Sequence, residues 1–287
     1  MAEVLGVVGF GTMGSEIALL GACAGLRVFV FEPSQEIVAA NTTRLAKVAR
    51  MIARDPKFFA AAALADAERE KTLARIRQVE ALSGLKDCTV VIEAVPESME
   101  LKSRIFTELA SHTAPTALLA TNTSSISITE LAAKLPQPER FLGMHFFNPP
   151  SAMQLVEVVP GMATAEENVA RALELAKVLG KKAIRVKETP GFVVNRVLVA
   201  MMVEAIRVHE DGIASIQDID EAMRLGANFP VGPFKLADLV GLDVLEHASQ
   251  VIYNELGQDK FRPPHSLKTL VRAGRLGRKT KHGFYKY

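Results

Sequence analysis

The chain has little of what several classes of protein require. It carries two cysteines in 287 residues, Cys23 and Cys88. They show neither CxxC nor metal-ligand spacing and lie beside no cluster of histidines, so nothing points to a bound metal. Their apolar neighbours predict reduced core residues in a cytoplasmic protein. Net charge is nearly absent, since 34 Lys and Arg against 32 Asp and Glu leave +2. That is too small and too dispersed for a nucleic-acid or membrane surface. No internal repeat or low-complexity tract occurs. A clean apolar span is missing too. Val4 to Phe31 is largely apolar, but it lacks a basic start, contains Glu16 and Arg27, and is broken by glycines. It reads as strand–turn–helix–strand, not as a signal peptide or membrane helix.

What is present is globular. Hydrophobic residues make up 49% and charged residues 23%, enough for a substantial core and for two domains of ordinary size. Short apolar runs recur at Val4–Val8, Arg27–Phe31, Thr89–Ile92, Ala117–Ala120, Phe141–Phe146, Leu155–Val159 and Ala183–Val186. Helical patterns separate them, which implies βαβ units and a buried parallel sheet. Between the second and third runs the charged segment Glu36 to Arg77, interrupted at Asp55-Pro56, reads as a helical hairpin. After Val186 the strand signals stop. Helical spacing follows over Val193–Gly212, Ile216–Leu225, Leu236–Leu256 and Ser266–Ala273. The expected fold class is α/β: a Rossmann-like, mostly parallel sheet with a helical-hairpin insertion (residues 1–187), then an all-helical C-terminal domain (residues 188–287).

Gly9-Phe10-Gly11-Thr12-Met13-Gly14 is a G-x-G-x-x-G between a strand and a helix. The first glycine permits the tight turn, the second lets backbone approach a pyrophosphate, and the third lets helix and strand pack closely. The helix N-terminus offers N–H groups to the phosphate. At the end of the next strand stands Glu32. A carboxylate there accepts hydrogen bonds from the adenosine ribose and repels a 2′-phosphate, so the cofactor is NAD in preference to NADP. Gly9, Gly11, Thr12, Met13, Gly14 and Glu32 are the candidate cofactor residues.

One histidine, His145, ends an apolar strand just before a turn, and the strand Leu155–Val159 carries Glu157 at its centre. A carboxylate in such a strand is costly to bury alone. If the two strands pair, Glu157 holds the imidazole tautomer and stabilises its protonated form, as a general base requires. A structural ion pair is the other reading. Two further polar features stand near apolar elements. Thr121-Asn122-Thr123-Ser124-Ser125 follows a strand, where open sheets bind ligands, or else supplies a helix cap. Asn195, in Gly191-Phe192-Val193-Val194-Asn195-Arg196, needs a substrate oxygen or a backbone partner.

Taken together the motifs GFGTMG, IEAVPE, TNTSSISITELA, GMHFFNP, LVEVV, TPGFVVNR, DIDEAM and LGRKTKHGFYKY, spread in order over nearly the whole chain, resemble the L-3-hydroxyacyl-CoA dehydrogenase family. Its bacterial single-function members that use 3-hydroxybutyryl-CoA are most alike. The resemblance implies that His145 takes the 3-hydroxyl proton, that Glu157 orients it, and that Ser124 and Asn195 hydrogen-bond the substrate. It also implies that Glu97, Lys102 and Asn122 lie near the nicotinamide half of NAD, and that the helical domain builds a homodimer. The sequence departs from the family at Pro150-Ser151-Ala152-Met153-Gln154, where the pattern is closer to VPVMK. It departs again at Lys281-His282, where a glycine and a basic residue are usual. These positions bear on acyl and CoA preference and leave each catalytic residue type in place.

Arg44, Lys47, Arg50, Arg54 and Lys57 recur at three- and four-residue spacing, along one helix face. They form either a solvated surface or, for a dehydrogenase of acyl-CoA, a contact for CoA phosphates, with Arg50, Arg54 and Lys57 foremost. Two rival functions share the fold. One is a dehydrogenase of a free hydroxy acid such as gulonate, which needs no basic stripe. The other is a crystallin-like NAD-binding protein without turnover, which does not need Ser124, His145, Glu157 and Asn195 together.

Overall fold

A computed structural model describes residues 3–54 and 66–287; the side chains of residues 51–54 and 66–69 also lie outside the described residues. The chain divides into two compact units, Met1–Glu188 and Thr189–Tyr287.

The first unit is built on one eight-stranded sheet with the order β3-β2-β1-β4-β5-β6-β7-β8. In chain order its elements are β1 (Val4–Val8), α1 (Thr12–Cys23), β2 (Arg27–Phe31), α2 (Gln35–Arg54), α3 (Asp66–Leu73) and β3 (Ile76–Val79). There follow β4 (Val90–Glu93), α4 (Met99–His112), β5 (Leu118–Thr121), α5 (Ile128–Ala132), β6 (Phe141–Phe146), β7 (Leu155–Pro160), α6 (Glu166–Val178) and β8 (Lys182–Arg185). All neighbours are parallel except β6 and β7. Central strands such as β1, buried at every residue, are continuous apolar runs because helices cover both faces. The chain leaves β1 for β2 on one side and returns to β4 on the other. That reversal opens a crevice at the carboxyl ends of the strands.

One strand escaped the sequence pattern. Residues through Arg77 read as part of the helical insertion, but the helix stops at Leu73, and β3 pairs in parallel with β2. Two of its four residues, Arg77 and Gln78, are exposed. An edge strand needs only a weak apolar pattern, and polar side chains on it discourage pairing with other chains.

The insertion itself contains α2 and α3. Asp55, Pro56 and Lys57, and the Arg54 side chain, lie outside the described residues. Leu45 and Ala49 are buried on α2. Arg44 leaves the expected basic stripe and turns onto α1, donating to Glu16 Oε1 at 2.6 Å, to Thr12 O at 2.8 Å and to Ser15 Oγ at 2.7 Å. Glu16, 1% exposed, also accepts from the Ser151 N–H at 2.8 Å. One buried carboxylate thus joins α1, α2 and the loop after β6. Lys47 and Arg50 stay exposed on α2. The two cysteines are free thiols, and burial pushes each up to about 12, so both stay protonated.

The second unit is helical: α7 (Val194–Glu210), α8 (Ile216–Gly226), α9 (Pro233–Val240), α10 (Leu242–Leu256) and α11 (His265–Arg272). Its core gathers Val203, Ile206, Phe234, Leu245, Ile252 and Phe261. The single helix expected over Leu236–Leu256 is two, because Gly241 between them takes φ +104°. Only glycine tolerates that angle without strain, and the ladder of helical hydrogen bonds breaks there. The closing motif is a clamp. Buried Asp238 accepts from the Phe284 and Tyr285 N–H groups, each at 2.9 Å, and from the Tyr287 hydroxyl at 3.1 Å. Lys281, standing where the family favours glycine, has φ +57°, a left-handed angle that costs an L residue about 1–2 kcal/mol. Among the described residues no helix is long and apolar enough to cross a membrane.

Candidate active site

The Gly-rich loop has the geometry its spacing predicts. Gly9 has φ +90°, and a Cβ on it would lie 2.8 Å from Ala94 O; a Cβ on Gly14 would lie 2.0 Å from Gly9 O. Gly11 differs, since a Cβ there would meet nothing within 4 Å. The first and third glycines therefore close the turn on itself, while the second faces open space at the start of α1. A pyrophosphate fits that space and can take the N–H groups of the first helical turn. Beside it runs a groove of about 740 Å³, whose walls include Ile37, Leu82, Leu101 and Ile105, with Glu32, Thr12 and Met13 at its edge. Glu32 caps β2 and holds the loop as well. Its Oε2 accepts from the Phe10 N–H at 3.0 Å and its Oε1 from the Ser34 N–H at 3.1 Å. A dinucleotide fits this set: apolar walls for a base, a carboxylate for a ribose, a bare backbone for phosphate.

At the next strand end lies an ionic network. Lys102 of α4, 1% exposed, donates to Glu93 Oε1 at 2.6 Å and to Val95 O at 3.3 Å, and stands 3.3 Å from Glu97 Oε2. The ammonium is thus engaged by one carbonyl and two carboxylates. Glu93 also accepts from the Thr121 hydroxyl at 2.7 Å. Burial drives the Glu93 carboxyl upward, and Lys102 and Thr121 offset part of that rise. Glu97 is also raised by burial, but the Lys102 ammonium and hydrogen bonds from Thr123, Ser125 and the Ser124 N–H outweigh it and hold the carboxyl below its ordinary value. Glu97 accepts from the Ser124 and Ser125 N–H groups, each at 3.1 Å, and from the Ser125 hydroxyl at 2.9 Å. It organises the loop after β5.

The antiparallel register of β6 and β7 sets His145 directly opposite Glu157. His145 Nδ1 lies 2.7 Å from Glu157 Oε2, with the carboxylate 0% and the imidazole 5% exposed. Because β6 runs parallel to β4 and β5, His145 comes at the carboxyl edge of the sheet, the edge that carries the Gly-rich loop. Asn122 ties these elements together: its Oδ1 accepts from the Phe146 N–H at 2.8 Å and its own N–H donates to Glu93 O at 2.8 Å. The Ser124 hydroxyl has no hydrogen-bond partner among the described residues. The second unit carries Asn195 on the first turn of α7, half-buried. Its side-chain amide likewise has no partner among the described residues.

Three contributors were not singled out as site residues from the sequence. Glu93 carries the same signal that revealed Glu157, a carboxylate inside an apolar strand. Glu16, the one charged residue of α1, reads in the sequence only as a charge unsuited to a membrane span. Glu188 gave no local signal, because its partners are 59 and 61 residues away. No group of three or more His, Cys, Asp or Glu that could hold a metal occurs among the described residues.

A dinucleotide cradle and a buried carboxylate–imidazole pair at one sheet edge define an NAD-dependent dehydrogenase of a hydroxyl compound. Comparison with known proteins narrows the class. Residues 4–189 match the 3-hydroxyacyl-CoA dehydrogenase NAD-binding domain and residues 191–287 its C-terminal domain. The chain belongs to the 3-hydroxyacyl-CoA dehydrogenase family and is an NAD-dependent enzyme of that activity. It is 42% identical to a 3-hydroxybutyryl-CoA dehydrogenase of Mycobacterium tuberculosis, over 99% of this chain and 98% of that one. A Clostridioides difficile enzyme of the same name is 41% identical over 99% of each. The crystal structure of an (S)-3-hydroxybutyryl-CoA dehydrogenase from Ralstonia eutropha superposes with a TM-score of 0.94 at 40% identity, covering 100% of this chain and 99% of that one.

Proposed function

We propose that the chain interconverts (S)-3-hydroxybutyryl-CoA, or a similarly short (S)-3-hydroxyacyl-CoA, and the 3-oxo thioester, with His145 and Glu157 as its acid–base pair. The observation that carries this reading is the 2.7 Å contact between His145 Nδ1 and buried Glu157. With Nδ1 engaged, Nε2 is the nitrogen that takes the 3-hydroxyl proton as the C3–O bond becomes a carbonyl. Glu157 stabilises the imidazolium that results, and in the reductive direction the same imidazolium returns the proton. Bound in the groove, NAD supplies the acceptor for the hydride that leaves C3. Ser124 and Asn195 offer donors to the substrate oxygens, and Asn122, Glu97 and Lys102 order the loop between cofactor and substrate. Arg50, Arg54 and Lys57 meet the phosphates of CoA. Residues 1–187 form the cofactor domain, and residues 188–287 the substrate and dimerisation domain.

The expected result is NADH oxidation with acetoacetyl-CoA, none with free acetoacetate, and little with NADPH. Turnover of the free acid at a comparable rate assigns the chain to free hydroxy acids. Binding of NADH without turnover of either substrate makes it a non-catalytic NAD-binding protein. A homodimer through the helical unit is supported by its apolar side chains left in solvent, Val197 at 63%, Leu239 at 55% and Val244 at 50% exposure. Sedimentation velocity is expected to give twice the chain mass, and a monomer at micromolar concentration contradicts it.

A further inference from the structure

The loop between β5 and α5 is held at both ends by carboxylates. Glu97 binds its first half, as described above. Glu188, the last residue of the first unit, binds its second half. Glu188 Oε1 accepts from the Ser127 hydroxyl at 2.7 Å and the Thr129 N–H at 3.0 Å, and its Oε2 accepts from the Thr129 hydroxyl. The Thr129 oxygen accepts in turn from the Met162 N–H at 2.9 Å, in the turn that follows β7. Glu188 therefore touches the end of the loop that carries Ser124, and through Thr129 it is linked to the turn after the strand that carries Glu157.

These contacts exceed what a cap requires. Ser127 already caps α5, accepting from the Glu130 N–H at 3.1 Å, and that helix has only five residues. Burial raises the Glu188 carboxyl, but hydrogen bonds from Thr129 and Ser127 outweigh it and leave it below its ordinary value. The charged form is thus the one the loop selects. Its stabilisation is complete above the ordinary carboxylate range and disappears as pH falls through the depressed value.

We infer that Glu188 is a positioning residue for the dehydrogenase reaction: with Glu97 it clamps residues 123–129 so that the Ser124 hydroxyl is presented to the substrate. This rests on the reading of Ser124 as a substrate contact. Glu188 and its partners Ser127 and Thr129 line no part of the dinucleotide groove, so Glu188 acts on turnover and not on cofactor affinity. A small displacement of an oriented group is enough to slow a reaction tenfold or more.

The test compares Glu188→Gln, Ser124→Ala and the double variant, with acetoacetyl-CoA and NADH. Glutamine keeps the size but puts an NH₂ against a set of donors. The expected result is a kcat about tenfold lower in Glu188→Gln, with unchanged NADH affinity. In the Ser124→Ala background the same change should cost nothing more, since the group it positions is already gone. Should Glu188→Gln fail to fold, Thr129→Val removes one donor of the clamp, with Thr129→Ser expected to restore kcat. A normal kcat in Ser124→Ala overturns the reading of Ser124 itself. An impaired Ser124→Ala beside a Glu188→Gln or Thr129→Val enzyme with kcat within twofold of the parent overturns the clamp alone, as does full additivity in the double variant.

Discussion

Replacing His145 with alanine is expected to lower kcat by about 10²–10⁴-fold, the usual worth of a positioned proton acceptor, while NADH binds as before. The separation follows from where the groups lie. The groove is lined by residues of β1, α1, β2, α2 and α4, among others, and includes none of β6 or β7, so removing the imidazole leaves the walls of the groove intact. Glu157→Gln is the companion variant. Glutamine fills the same buried volume and still hydrogen-bonds Nδ1, but it brings no negative charge to the imidazolium. Its kcat should fall by less than that of His145→Ala, and in the alanine background it should have almost no further effect, because the two residues act as one unit. Steady-state kinetics with fluorescence titration of NADH decide the matter. A kcat within threefold of the parent in His145→Ala removes this histidine from the chemistry.

The second large effect concerns two glycines of one loop, Gly14 and Gly11, with opposite surroundings. Gly14→Ala places a methyl group 2.0 Å from the Gly9 carbonyl oxygen. Backbone cannot step aside as a flexible side chain does, so helix and strand must part. Overpacking of this kind costs about 1–3 kcal/mol, which at about 2–4 °C per kcal/mol lowers Tm by several degrees, and the distorted loop should lose NADH. Gly11→Ala meets no protein atom within 4 Å, so its Tm should not change. Its methyl group instead occupies the space offered to the pyrophosphate and should weaken NADH at least tenfold, about 1.4 kcal/mol. Calorimetry and NADH titration on both variants read the two effects apart. Full NADH affinity in Gly11→Ala would mean that the phosphates lie elsewhere.

Much of this site is legible in the sequence because its parts are anomalies against a regular background. Glu157 and His145 interrupt apolar strands, and two antiparallel strands joined by a short connection must face each other in some register. The glycines declare themselves by spacing. What stayed hidden depends on distance along the chain. Lys102 reads as one more charge on an amphipathic helix, and nothing local says that it is buried between Glu93 and Glu97. Glu188 finds its partners about sixty residues back. Arg44 fits a helical stripe by spacing, yet its long side chain reaches α1. The edge strand β3 was lost for the opposite reason, since four residues with two polar ones make too faint a pattern beside a charged helix.

The carboxylate of Glu32 has a consequence for anyone wishing to change the coenzyme. Its two oxygens receive the Phe10 and Ser34 N–H groups, so the residue proposed to discriminate against a 2′-phosphate also fastens the loop over which either coenzyme would lie. Selectivity and scaffold are vested in one side chain. A swap to arginine or serine removes the repulsion and both anchors in a single stroke. A redesign toward NADP must therefore import a replacement acceptor for the Phe10 N–H, on a neighbouring position, before any gain in phosphate recognition can be expressed.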